Sequence, residues 1–184
     1  SDRNKEINKV LWTILALNLG VSIMKLVVGY SIASTSMVAD GFHSFSDGTS
    51  NIIGLVGTAL AAKPADECHP YGHKKFETFT SIAIALLLFI VSINIIKSSI
   101  SKLINPVIPQ VDVYSFIVMI VTMAINIFVI IYETKKGKKL HSDILISDAI
   151  HTKTDVYVSL SVILSLIAVK LGYPILDPII SFII

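Results

Sequence analysis

Val113-Tyr114-Ser115-Phe116-Ile117-Val118-Met119-Ile120-Val121-Thr122-Met123-Ala124-Ile125-Asn126-Ile127-Phe128-Val129-Ile130-Ile131-Tyr132 runs for about 20 residues without a formal charge. As a helix it rises roughly 30 Å, the thickness of a bilayer's hydrocarbon core. It shows no alternation of apolar and polar positions, so it does not fit a strand of a transmembrane barrel. Backbone groups in lipid have to be satisfied within their own segment, which leaves the helix. Five more apolar runs flank this one: Val10–Tyr30, Ser36–Ala62, Phe76–Ile100, Asp143–Lys170 and a run starting near Ile175. The expected fold is therefore all-α: a polytopic membrane protein with a six-transmembrane-helix bundle in two three-helix halves. Residues 1–184 form one membrane domain, whose sixth helix is expected to be cut after about half a bilayer. Composition agrees, with 15% charged and 53% hydrophobic residues against about a quarter charged in soluble domains. No cleavable signal segment is present at the amino terminus. The single cysteine, Cys68, excludes a disulfide framework within one chain.

The basic residues orient this bundle. Arg3, Lys5 and Lys9 precede the first run, Lys63, Lys74 and Lys75 stand in the loop between the second and third, and Lys135, Lys136, Lys138 and Lys139 in the expected loop between the fourth and fifth. If every run spans, these ten residues lie on one side and only Lys97, Lys102 and Lys170 on the other. The positive-inside rule then places the amino terminus in the cytosol of a multi-pass integral membrane protein, and the expected location is the plasma or inner membrane of a prokaryote. The run Lys135–Lys139 adjoins a membrane span and suits anionic lipid headgroups of the bilayer rather than nucleic acid.

Two of the apolar runs carry ionisable residues in the same pattern. Ala39-Asp40-Gly41-Phe42-His43-Ser44-Phe45-Ser46-Asp47 and Ser147-Asp148-Ala149-Ile150-His151-Thr152-Lys153-Thr154-Asp155 both read Asp-x-x-His-x-x-x-Asp, 108 residues apart. Each lies in the middle run of a three-helix half, and internal repeats of this kind mark transport proteins. His43 with Asp47, and His151 with Asp155, are spaced to share one helix face one turn apart. Two imidazoles and two carboxylates suit a tetrahedral Zn²⁺, while imidazole also suits Fe, Cu and Ni, so this list does not fix the metal. The bland alternative is polar glue between helices. A charge near the bilayer centre costs at least about 2.5–3.5 kcal/mol, so four such residues at matched spacing favour a ligand set. Asp40 and Asp148 lie one turn before each His. They either accept an imidazole N–H behind the ligands or make helix-packing hydrogen bonds.

The remaining intramembrane polar residues, Asn18, Lys25 and Asn126, fit interhelical hydrogen bonds better than metal ligation. Lys153 points away from the His151 face. It either snorkels or pairs with an acidic group elsewhere. Between the second and third runs, Pro64 and Pro70 interrupt helix and Gly72 permits a turn. Asp66, His69 and His73 in this loop form a candidate second metal site with an open position, or a polar loop with packed histidines. Cys68 stands beside it as a bystander.

The motifs His43-x-x-x-Asp47, His69-Pro70-Tyr71-Gly72-His73-x-Lys75-x-Glu77 and His151-x-x-x-Asp155, in this order on a six-helix pattern, resemble the cation diffusion facilitator family over the whole chain. The resemblance implies a transport site at His43, Asp47, His151 and Asp155, a secondary loop site at Asp66, His69 and His73, and a dimer contact at Lys75. It implies a homodimer that exports Zn²⁺, or Fe²⁺, Co²⁺, Cd²⁺ or Mn²⁺, in exchange for protons. It also implies a cytosolic metal-sensing domain after the sixth helix, which is absent from this sequence. His at both first-ligand positions resembles the zinc-preferring members. An intramembrane metalloenzyme would call for a catalytic Glu, as in His-Glu-x-x-His, a motif this sequence lacks. A passive channel fits poorly with a tight four-ligand site.

Overall fold

The computed structural model describes residues 2–61, 75–105 and 107–184. Asp66, Cys68, His69 and His73 lie outside these. The described residues form six helices and no strand: α1 (Asp2–Ser31), α2 (Thr35–Ala61), α3 (Lys75–Ile104), α4 (Val113–Leu140), α5 (Asp143–Lys170) and α6 (Leu176–Ile183). Among the described residues, four segments are long and apolar enough to cross a membrane: Lys5–Ser31, Ala85–Ile104, Val113–Leu140 and Asp143–Lys170.

The chain falls into two compact units. One holds Ser46–Asn94, the continuation of α2 and most of α3. On its α3 portion Phe79, Leu86 and Phe89 are exposed, as expected of a surface that faces lipid tails. The larger unit, Ser1–Phe45 with Ile95–Ile184, contains the packed core. Here α4 packs on α5 and on α1, and α5 on α6. Val28, Ile32 and Met37 meet Val118, Met119, Val162 and Leu166 in one cluster. Val10, Ile14, Val129, Leu140 and Leu145 form a second. Gly41 lets α1 and α2 approach closely. A Cβ there would stand 2.9 Å from the Leu26 side chain and 3.0 Å from its backbone nitrogen. Small residues at helix contacts are the usual means of such approach in membranes.

One expectation is corrected. Lys135–Lys139 is not a loop but the last turns of α4, and only His141 and Ser142 connect α4 to α5. The helix continues because its end is well terminated. His141 adopts a left-handed conformation (φ 47°, ψ 50°), and its N–H and that of Ser142 donate to the Gly137 carbonyl. Lys138 and Lys139 in the last turn complement the negative end of the helix dipole. The start of α4 is fixed by Asp112, whose side chain accepts from Ser115 N at 2.9 Å.

The start of α2 has an unusual cap. Ser34 Oγ accepts from Met37 N at 3.2 Å, as an N-cap serine does. The next two orphan donors are taken by Asp177, fully buried at the start of α6. It accepts from Thr35 N at 2.6 Å and Ser36 N at 3.3 Å, and from the hydroxyls of Ser34 and Ser36 at 2.6 Å each. A carboxylate at a helix N-terminus also meets the positive end of its dipole. Nearby, the hydroxyls of Ser99 and Ser181 tie the end of α3 to α6. Asp177→Ala removes a charged acceptor from four donors, and net charged hydrogen bonds contribute about 1.5–3 kcal/mol each. The substitution should lower stability by about 3 kcal/mol or more, seen as an earlier thermal transition in detergent.

Candidate metal centre

His43 and Asp47 lie one turn apart on α2, and Asp155 projects from the buried face of α5. Helix α2 brings His43 Nε2 to 3.6 Å from Asp155 Oδ1. His43 is about one-third exposed, while Asp155 is buried. One donor atom from each of His43, Asp47 and Asp155 lies within 4.8 Å of the others. Two ligands held about 2.1 Å from a tetrahedral ion stand about 3.4 Å apart, so the His43–Asp155 spacing is close to what one shared ion requires. His151 lies one turn before Asp155 and is exposed, outside this three-residue group.

Both oxygens of Asp40 have partners on other helices. Lys25 Nζ donates to Oδ1 at 2.9 Å and Ser159 Oγ to Oδ2 at 3.0 Å. The fully buried Lys25 ammonium also donates to Ser159 Oγ at 2.8 Å and Ser44 Oγ at 3.4 Å, so all three of its protons are used. This ties α1, α2 and α5 together beside the metal centre, since Ser44 follows His43 and Ser159 is one turn beyond Asp155. The interhelical role expected of Lys25 is met, and Asp40's recorded bonds are of the helix-packing kind. Asp148 is half-buried, and its carboxyl faces Glu133 of α4. Lys153 is exposed, as is Lys75 at the start of α3. Asn18 and Asn126 are at least partly buried, on α1 and α4.

Ser159, Asp177 and Glu133 were not among the residues singled out from the sequence. Ser159 had a legible signal, because it continues the Asp155 face by one more turn. Asp177 had a weaker one, an acidic residue just before Pro178 at a helix start.

Residues 11–184 match the family model of the cation efflux transmembrane domain. An uncharacterized transporter of Methanocaldococcus jannaschii is 35% identical over 168 residues, covering 91% of this chain and 59% of that protein. The manganese efflux system protein MneS of Bacillus subtilis is 26% identical over 170 residues, covering 92% of this chain and 59% of its own length. Mitochondrial metal transporter 1 of Saccharomyces cerevisiae is 27% identical, covering 90% of this chain and 36% of its own length. The chain thus spans well under two thirds of the length of these relatives. Its apolar helices and the family match together make it a multi-pass membrane protein. Built on helices of this kind and matched from residue 11 to residue 184, the chain belongs to the cation diffusion facilitator family of cation efflux transporters.

Proposed function

We propose that this chain carries a divalent transition-metal cation, Zn²⁺ above all, out of the cytosol in exchange for protons. The observation that supports it is the approach of His43 Nε2 to Asp155 Oδ1 across two helices, with Asp47 one turn from His43. His151, one turn from Asp155, is the proposed fourth ligand, reached by turning its side chain toward the same ion. Four ligands of this kind suit tetrahedral Zn²⁺. Coordination needs neutral imidazole and ionised carboxylate, so loading the ion expels protons and protonation releases it. Alternating exposure of one site to the two sides then couples the two fluxes. The amino terminus is taken as cytosolic in this proposal, which the basic residues at the ends of α1 and α4 support. A homodimer with contacts near Lys75, a loop site at Asp66, His69 and His73, and a cytosolic domain beyond residue 184 complete the proposed protein.

A second reading, Mn²⁺ as the cargo, is favoured by one feature. The group gathered in the structure has two carboxylates and a single imidazole, a harder set than two of each. Proteoliposomes with a trapped pH-sensitive dye separate the readings. Zn²⁺ should drive saturable proton efflux at micromolar concentration, ahead of Cd²⁺, Co²⁺, Fe²⁺ and Mn²⁺. Strongest stimulation by Mn²⁺ would select the second reading, and metal uptake without proton movement would overturn the antiport.

A further inference from the structure

Glu133 is the largest buried acidic side chain with no evident compensation. It is fully buried on α4, and among the described residues no amine, amide or alcohol donor reaches either of its carboxylate oxygens. Its setting follows from helix packing. Gly137 of α4 stands against Leu145 and Ile146 of α5, where a Cβ would come within 2.9 Å of the Ile146 side chain. The two helices are joined by a two-residue turn and run antiparallel. One turn back on α4, Glu133 therefore faces the next turn of α5, which holds Asp148. The charged group that acts on Glu133 there is the Asp148 carboxyl. Thr152, the next polar side chain along α5, donates to the Asp148 carbonyl at 3.1 Å, so its proton is committed.

Two carboxyls, one of them sealed from water, are unfavourable unless something positive lies between them. We propose that Glu133 and Asp148 form a second cation site, which takes a divalent ion through carboxylate oxygens and water before it reaches His43 and Asp155. Oxygen-only ligands suit a hard ion such as Mn²⁺ or Mg²⁺, held more weakly than by imidazole. The site lies toward the Lys135–Lys139 end of α4, the cytosolic end on the topology above. Asp148 and Asp155 are two turns apart on α5, about 10 Å along its axis. A cation leaving Glu133 thus has one short step to the metal centre. A proton shared between the two carboxyls is the competing explanation. It would hold the pair together without a metal, and Mn²⁺ binding separates the two.

The order of loading rests on the transport reading, but binding at Glu133 does not, so the test isolates binding. Mn²⁺ binding is counted by electron paramagnetic resonance on the detergent-solubilised protein. In a His43→Ala/Asp155→Ala background, about one Mn²⁺ per chain should remain. Adding Glu133→Gln should weaken that binding at least tenfold, and Asp148→Asn should do the same. Thermal transitions of each variant establish that it folds, and the asparagine variant decides if the glutamine one does not. No Mn²⁺ bound in the double-alanine background, or binding unmoved by the carboxamide variants, would overturn the proposal and leave the shared proton. Loss of one equivalent between wild type and the double-alanine protein reads the transport site separately.

Discussion

Asp155→Ala is expected to abolish metal-driven proton flux and to weaken Zn²⁺ binding at least a hundredfold. Asp155 is the acidic residue that α5 brings against His43, at 3.6 Å. Without it, the proposed site keeps His43 and Asp47 on α2 and only His151, which lies outside the gathered group, on α5. Even residues that merely orient a metal ligand cost 10–100-fold in affinity when removed, so losing a ligand outright exceeds that range. Asp155→Asn should fail nearly as badly, because the carboxamide keeps the shape but removes the charge that offsets the dication. Titration calorimetry in detergent and dye-loaded proteoliposomes measure the two effects. Flux within a fewfold of wild type in Asp155→Ala would remove Asp155 from the site.

Much of this was legible in the sequence, for reasons that differ by residue. The helices were legible because lipid leaves a spanning backbone few options and apolar length is counted directly. The i,i+4 rule pairs His43 with Asp47 and His151 with Asp155 without knowing the partner helix, whereas the structure gathers His43, Asp47 and Asp155 and leaves His151 outside that group. What failed was whatever depends on contacts between distant segments. Asp177 reaches Thr35 and Ser36 across 142 and 141 residues, and no local spacing announces that one helix's carboxylate caps another. Glu133 was hidden differently. It follows Tyr132, where the apolar run stops, and precedes Lys135 and Lys136. Local hydropathy puts it in a basic loop, whereas the packed turn at Gly137 carries the helix onward and buries it. Asp40 and Asp148 show the same limit, since an identical spacing from His gives one a lysine neighbour and the other a glutamate.

Lys25→Met should destabilise the protein by about 3–5 kcal/mol, the cost of breaking a buried ion pair from one side. Met fills most of the lysine's volume, so the loss is chiefly electrostatic: Asp40 stays buried with one of its oxygens deprived of a charged donor. Ser159 and Ser44 lose the same donor, and the bonds joining α1 to α2 and α5 go together. For a chain of this size the thermal midpoint should drop by about 10 °C, followed by the fluorescence of Trp12, the single tryptophan. The double variant Lys25→Met/Asp40→Leu should recover most of the loss, because well-packed apolar replacements of a buried pair are often neutral or stabilising. Recovery would show that the pair is held by mutual compensation. A double variant as unstable as Lys25→Met alone would instead place the stability in the geometry of the Ser44 and Ser159 bonds. Zn²⁺ binding in the recovered double variant then asks a separate question. Neither replaced residue is among His43, Asp47 and Asp155, so affinity should stay within about tenfold of wild type, the low end of the effect of disturbing groups behind a metal ligand.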